Sequence, residues 1–186
     1  MNSSADRSID VTANRTQQPE QQRFEALCTP LKADLFRFLY WLCRDRALAE
    51  DVLQETLLRA WKSIESLSDE KAVRPWLLTI ARRELARTYE RKRIPTVELD
   101  SVSETDRDAF AVEAGHDVQE MRRAIMQLDA IHREPLVLQV MFGYSTEEIS
   151  QQLQISLPAV LTRLHRARHA LRKHMLGDRA DEGMCE

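Results

Sequence analysis

Apolar residues recur at intervals of three and four through three successive segments, residues 24–44, 48–65 and 74–93, which places them on one face of an α-helix. The first helix is predicted to bury Leu31, Leu35, Phe38, Leu39 and Leu42. The second is predicted to bury Ala49, Leu53, Leu57, Ala60, Trp61 and Ile64. The third is predicted to bury Leu77, Leu78, Ala81, Leu85 and Tyr89. We therefore expect about three helices packed around one core.

A different pattern, at residues 145–172, predicts two helices that meet at a tight turn. Ser145 and Glu148 have the spacing of a capping box at the start of the first helix. Residues 154–156 form the corner, and Ser156 is placed to cap the second helix. The segment therefore has the organisation of a helix-turn-helix motif.

The second of these helices separates an apolar stripe from a polar, basic face. The stripe consists of Leu157, Val160, Leu164, Ala167 and Leu171. The opposite face consists of Pro158, Thr162, His165, Arg166, His169 and Lys173. Such a helix suits the major groove of duplex DNA. An ordinary amphipathic hairpin with a solvated basic face is the alternative, and the agreement of turn, caps and charge favours groove binding.

Composition narrows the class of protein. The chain has 186 residues, 43% hydrophobic and 31% charged, with only 4 Gly and 6 Pro, which favours an all-α protein with one or two small domains. No apolar run reaches membrane-spanning length, and the polar N-terminus lacks the apolar core of a signal peptide. The three cysteines show no disulfide or metal spacing and fit a reducing cytoplasm.

The net charge of −3 is divided unevenly along the chain. Residues 24–93 carry 14 cations and 11 carboxylates, residues 94–120 carry 1 and 8, and residues 121–176 carry 8 and 4. Two mildly basic segments are thus joined by an acidic connector, and the local charge favours nucleic acid. We predict a disordered tail at residues 1–23, domains at 24–93 and 119–176, an acidic flexible linker at 94–118 and a tail at 177–186.

The second helix shows an unusual outward face, made of Asp51, Gln54, Glu55, Leu58 and Lys62. A large aliphatic side chain among acids and an amide suits a small anchor for a protein partner. Isolated exposed leucines are also common and need no special explanation. On this face alone the two interpretations are equal.

The outward face of the third helix aligns Trp76 and Thr79 with Arg83 and Arg87. An aromatic ring followed by arginines suits stacking on unpaired bases while cations hold phosphates. Trp76 as a core residue beside Ile80 is the alternative. We favour contact with nucleic acid.

Three sequence motifs together resemble bacterial extracytoplasmic-function (group IV) sigma factors of the sigma-70 family. Residues 51–61, DVLQETLLRAW, resemble the signature helix of that family. Residues 75–82, PWLLTIAR, are similar to its promoter-melting helix, and residues 164–172, LHRARHALR, to its terminal recognition helix. The resemblance covers residues 24–176.

The resemblance implies a sigma factor that binds core RNA polymerase and directs promoter-specific transcription initiation, with sigma domain two of three to four helices and sigma domain four with the helix-turn-helix. It implies that Asp51, Gln54, Glu55, Leu58 and Lys62 bind the clamp helices of the largest polymerase subunit. It implies that residues 66–73 and the helix carrying Trp76, Thr79, Arg83 and Arg87 read the melted −10 element. It implies that the −35 element is read as duplex by Ser156, Thr162, Arg163, His165, Arg166 and His169.

The same resemblance implies that the acidic linker threads toward the polymerase active centre and that an anti-sigma factor is a further partner. The free protein is expected to be a monomer without membrane insertion. It is expected to have no cofactor, no metal and no catalytic residue, since bond formation belongs to the polymerase.

Three positions depart from the family pattern. Arg83 stands where the family usually has Asn after Ile-Ala-Arg. Because a guanidinium cannot accept a hydrogen bond as an amide can, we expect Arg83 to contact phosphate rather than a base. Residues 158–163, PAVLTR, replace Gly-Thr-Val-Lys-Ser-Arg and leave fewer polar donors. Leu128-Asp129 replaces Leu-Pro. An unusual −35 sequence is therefore expected.

Other functions are weighed against this one. His165 and His169 are spaced i, i+4, as metal ligands can be, but no zinc-protease glutamate lies between them. A stand-alone helix-turn-helix regulator that binds duplex DNA as a dimer is the main alternative. An all-α protein-interaction module is the other. The face around Leu58 separates both from the sigma-factor interpretation, since neither requires it.

Overall fold

The computed structural model describes the backbone of residues 20–92 and 116–182 and the side chains of residues 20–91 and 118–175. Every regular element in these ranges is helical, which confirms the predicted all-α class. The α-helices are α1 (20–28), α2 (Lys32–Cys43), α3 (Arg46–Lys62), α4 (Val73–Lys92), α5 (His116–Gln127), α6 (Ala130–Phe142), α7 (Thr146–Leu153) and α8 (Leu157–Glu182). Short 3₁₀ turns occupy Thr29–Leu31, Ile64–Ser66 and Glu70–Ala72. No helix of these ranges is long and apolar enough to cross a membrane.

The described residues form two compact units. The first contains residues 20–39 and 49–92, and the second contains residues 40–48 and 116–182. The predicted linker, residues 94–118, lies outside the described residues except for its last three positions, which begin α5. Residues 20–23, assigned to the N-terminal tail from the sequence, are the first residues of α1.

The predicted first helix, residues 24–44, is wrong as a single element. The structure has α1, a 3₁₀ turn and α2 in its place, with Pro30 within the turn. Proline lacks the N–H that an uninterrupted helix requires and clashes with the preceding turn. The expected core is confirmed at Leu35, Phe38, Leu39 and Leu42, which are buried, whereas Leu31, at the end of the turn, is only half-buried.

The predicted buried stripe of α3 is partly wrong. Leu53, Leu57 and Trp61 are only half-buried. The deepest side chains are small or β-branched: Ala49, Ala60 and Ile64 are buried as predicted, and Val52 and Thr56, which were not predicted, are buried with them. Small side chains allow neighbouring helices to approach closely, and the most buried line of α3 accordingly runs along these residues rather than along the leucines.

Helix α4 buries Leu77, Leu78, Ala81 and Leu85 as predicted. Tyr89, predicted to point toward the core, is 44% exposed. It lies near the C-terminal end of α4, one turn beyond the last buried leucine. The period continues in the sequence after the core has ended.

The second unit is built around α8. Its buried side chains include Leu136, Val137 and Leu138 of α6, Ile149 and Leu153 of α7, and Val160, Leu164 and Ala167 of α8. Helix α6 ends at Gly143, whose φ of +68° is the left-handed conformation that glycine adopts without strain. The stripe predicted for α8 is wrong at its ends, because Leu157 is exposed and Leu171 is only half-buried.

The helix-turn-helix geometry follows the sequence prediction closely. The Ser145 hydroxyl accepts from the Glu148 N–H at 3.2 Å, and the Glu148 carboxylate accepts from the Ser145 N–H at 2.8 Å. This reciprocal pair is the predicted capping box. At the corner, Gln154 adopts a φ of +55° and the Ser150 hydroxyl donates to the Ile155 carbonyl at 2.6 Å.

Candidate polymerase and nucleic-acid interfaces

The outward face of α3 is built on a helix whose opposite side contains the buried residues Ala49, Val52, Thr56 and Ala60. The helix begins after Asp45, whose carboxylate accepts from the Leu48 N–H at 3.0 Å, the bond of an N-cap. Thr56 is buried, and its hydroxyl is satisfied because it donates to the Val52 carbonyl at 2.7 Å. The five residues predicted to contact a partner are all exposed, namely Asp51, Gln54, Glu55, Leu58 and Lys62.

Leu58 is the apolar centre of this face and is 46% exposed. Asp51 and Glu55, at i−7 and i−3, lie on the same side of the helix, and Lys62 follows at i+4. An exposed leucine ringed by charges can bury its side chain in a partner while the rim makes polar contacts.

The segment between α3 and α4, residues 63–72, is an ordered loop rather than a helix. Leu67 is buried and anchors it, and the Ser66 hydroxyl donates to the Ser63 carbonyl at 2.6 Å. The Asp69 carboxylate accepts from the Lys71 N–H at 2.9 Å. Residues 68–71 are all exposed. The loop therefore presents a short, exposed polar tip next to the buried side chain of Leu67.

The predicted nucleic-acid face of α4 is graded in exposure. Trp76 and Thr79 are half-buried, whereas Arg83 and Arg87 are exposed. The Thr79 hydroxyl donates to the Pro75 carbonyl at 2.9 Å. Trp76 is thus neither a core residue nor a fully open stacking platform.

Arg87 is also committed to an internal ion pair. Its Nη1 donates to Glu84 Oε1 at 2.6 Å, and Arg59 Nε of α3 lies 2.6 Å from the same oxygen. Glu84 is 4% exposed, so this carboxylate is a buried acid between two arginines. The sequence interpretation missed Glu84 and Arg59. The available signal was a carboxylate at i+7 from Leu77 and i+3 from Ala81, on the stripe that the apolar residues define.

The polar face of α8 is exposed over its whole predicted length. Ser156, Thr162, His165, Arg166 and His169 are all exposed, while Val160, Leu164 and Ala167 behind them are buried. Arg163 is half-buried on one flank. The Thr162 hydroxyl donates to the Pro158 carbonyl at 2.8 Å, which leaves its oxygen available as an acceptor.

The first 21 residues of α8 carry only positive charge. Residues 157–177 contain five Lys and Arg residues and no carboxylate. Arg168 donates to the Gln139 side chain of α6 at 2.7 Å, so one of these cations braces the helix against its neighbour. The positive field suits a polyanion, and the short polar side chains at its centre suit base edges.

The described side chains contain no cluster of three or more His, Cys, Asp or Glu suited to a metal ion. Burial raises the pKa of the Cys28 thiol to about 11 and also raises the pKa of Cys43. Both thiols are therefore protonated at neutral pH, and Cys28 is a small side chain that is completely buried in the core.

Comparison with known proteins agrees with this division into two parts. The family model for sigma-70 region 2 matches residues 27–94, and the model for sigma-70 region 4 matches residues 118–171. The ECF RNA polymerase sigma factor SigL of Mycobacterium tuberculosis is 35% identical over 161 residues, covering 82% of this chain and 89% of SigL. SigX of Bacillus subtilis is 29% identical over 165 residues, covering 83% of this chain and 84% of SigX.

Solved structures share the fold at lower identity. The sigma factor RpoE of Bartonella quintana, in complex with the anti-sigma factor NepR, superposes with a TM-score of 0.67 at 24% identity and covers 83% of this chain and 97% of RpoE. CnrH, in complex with the cytosolic domain of CnrY, superposes with a TM-score of 0.61 at 23% identity and covers 85% of this chain and 90% of CnrH. The chain thus belongs to the extracytoplasmic-function sigma factors of the sigma-70 family, which direct promoter-specific transcription initiation by RNA polymerase.

Proposed function

We propose that three exposed faces of this sigma factor divide the work of initiation. The face of α3 around Leu58 binds the clamp helices of core polymerase. The tip of the 63–72 loop, with Trp76, Arg83 and Arg87 of α4, reads the melted −10 element. The polar face of α8 reads the −35 element as duplex DNA.

The observation that carries this proposal is the construction of α8. Its buried stripe fixes the helix, and the exposed side is cationic and carries no acid over residues 157–175, so Arg166 and His165 are held outward. Arg166 is the best candidate for bidentate recognition of guanine. Arg163, Arg168 and Arg172, on the flanks, suit phosphate contacts that position the helix.

Neither DNA-reading face needs to bind tightly alone. When both domains are held on one polymerase, the second contact becomes effectively intramolecular, and two weak interactions act together. In this scheme the sigma factor itself makes and breaks no covalent bond, because RNA synthesis belongs to the polymerase. A stand-alone regulator is not favoured, because it gives the α3 face around Leu58 no role.

An anti-sigma factor is proposed as the regulatory partner, because RpoE, which shares this fold, is bound to the anti-sigma factor NepR in its structure. We also propose that the protein without this partner is a monomer and acts in the cytoplasm.

In vitro transcription with core polymerase on a library of random promoters tests the proposed function. Enriched start sites with two blocks of base preference, one upstream and one within the melted region, are expected. If this protein enables no start site beyond those used by core polymerase alone, the proposal is wrong.

A further inference from the structure

Helix α1 lies directly against the loop proposed to read the −10 element. Arg23 of α1 donates through Nη2 to the Leu67 carbonyl at 2.8 Å and through Nε to the Glu70 carboxylate at 3.2 Å. The two acceptors flank Ser68 and Asp69, the exposed tip of the loop. The Arg23 guanidinium therefore connects both ends of the tip to α1.

Two further contacts connect α1 to the same region. Phe24 packs edge-to-face on Trp61, with ring centroids 5.4 Å apart and planes at 89°. The Glu20 side chain is hydrogen-bonded to Glu65, and this bond and the nearby carboxylate raise the pKa of Glu20. The attractive side-chain contacts described between α1 and this region are those of Arg23 and Phe24.

The loop has few other constraints at its tip. The hydrogen bonds described within residues 67–72 are local, such as the Lys71 N–H to Asp69 and the Ala72 N–H to the Asp69 carbonyl at 3.0 Å. These bonds shape the turn but do not attach the tip to the rest of the domain. Arg23 makes that attachment, through a planar group whose donors suit two acceptors at once.

We propose that Arg23 is a positioning residue for −10 recognition, which holds the tip at Ser68 and Asp69 in the conformation that the DNA strand meets. This inference rests on the proposed function of the loop and deepens it. Residues 20–26 lie before the segment that the region 2 family model matches, so α1 adds a support from outside that segment. Preorganisation of this kind lowers the ordering cost of binding and sharpens discrimination between bases.

The test uses the full-length protein with core polymerase on a promoter recovered from the random library. Each base at the upstream edge of the −10 element is varied, and each base of the −35 element is varied as an internal reference. Arg23→Met keeps the aliphatic stem and removes the guanidinium, Arg23→Lys restores one charge, and Arg37→Met is the matched control at an exposed arginine of α2.

We expect Arg23→Met to reduce discrimination at the −10 edge by about threefold to tenfold, the range for loss of one preorganising contact. Discrimination at the −35 element should not change. Lysine should rescue partially, because it reaches one of the two acceptors, and Arg37→Met should behave as wild type. In the same variants, amide hydrogen exchange at residues 68–72 should accelerate by a similar factor with Arg23→Met, by less with Arg23→Lys and not at all with Arg37→Met.

The outcomes separate the two proposals. If the wild type discriminates at the −10 edge and Arg23→Met discriminates equally, Arg23 has no positioning role and the loop assignment stands. If the wild type shows no preference at those bases, the loop assignment fails and the inference fails with it. If Arg23→Met does not fold, Glu70→Gln, which removes only the ion pair, must give the smaller loss, and an unchanged Glu70→Gln overturns the inference.

Discussion

Arg59 of α3 and Arg87 of α4 converge on one carboxylate oxygen of Glu84, each at 2.6 Å. The Glu84 side chain is 5% exposed, whereas those of Arg59 and Arg87 are 41% and 46% exposed. The acid is thus desolvated, and the two cations at the surface compensate for its burial. This cluster connects the helix proposed to bind polymerase with the helix proposed to bind melted DNA.

Glu84→Gln should destabilise the first unit by about 1–3 kcal/mol, because the neutral amide loses charge-assisted bonds and brings its own donors against two arginines. Urea unfolding of the full chain measures the change. Glu90→Gln, at an exposed position of the same helix, should stay within about 0.5 kcal/mol of wild type. Equal midpoints for the two variants would show that the cluster adds no stability.

The same cluster separates two arginines that the sequence treats as equivalent. Arg83→Ala should weaken open-complex formation without changing the unfolding midpoint, because Arg83 is exposed. Arg87→Ala should weaken open-complex formation and also lower the midpoint, because it removes a partner of a buried acid. Permanganate footprinting and urea unfolding of both variants provide the comparison. A lower midpoint in Arg83→Ala, or none in Arg87→Ala, contradicts it.

Leu58→Asp should abolish retention on immobilised core polymerase while circular dichroism stays unchanged, because Leu58 is 46% exposed and is not one of the buried core residues. The matched control is Leu161→Asp, which places the same charge at a leucine of α8 that is 51% exposed. We expect that variant to bind polymerase normally. Retention of the Leu58→Asp protein at wild-type level refutes the assignment of the α3 face.

Arg166→Ala should weaken promoter recognition by about 1–3 kcal/mol and therefore lower transcription from cognate promoters. It should also relax the base preference at one −35 position. Polymerase binding should not change. Arg172→Ala, at an exposed position of the same helix, removes a cation proposed above to contact phosphate and should weaken all sequences equally. Promoter competition assays distinguish a selective loss from a uniform one. A uniform loss in Arg166→Ala assigns that residue to the phosphate backbone.

The success of the sequence interpretation depended on the kind of signal. The capping box at Ser145 and Glu148 is local chemistry, and the structure has both of its hydrogen bonds. The faces of α3 and α8 follow from helical periodicity and are exposed as predicted. The class, the two-part organisation and the family were all within reach of these patterns.

The errors arose where tertiary packing decides between positions of similar character. Periodicity favoured the leucines of α3, but packing selected Thr56, whose hydroxyl is satisfied within its own helix. Periodicity also continued to Tyr89 beyond the end of the core. The contact between Arg23 and the 63–72 loop joins residues more than forty positions apart and leaves no local signal.

Gln154 at the corner of the helix-turn-helix is held in the left-handed conformation at a φ of +55°, which costs a residue with a Cβ about 1 kcal/mol. Gln154→Gly should therefore stabilise the second unit by up to about 1 kcal/mol, less the greater entropy of glycine in the unfolded chain. Gln151→Gly is the matched control, because the same substitution three residues earlier falls inside α7, where it should destabilise by about 1 kcal/mol. Thermal unfolding should thus shift in opposite directions for the two variants. If the unfolding temperature decreases in both variants, the Gln154 side chain contributes more stability than its backbone strain costs. Gln154 then stabilises the corner in spite of its left-handed conformation.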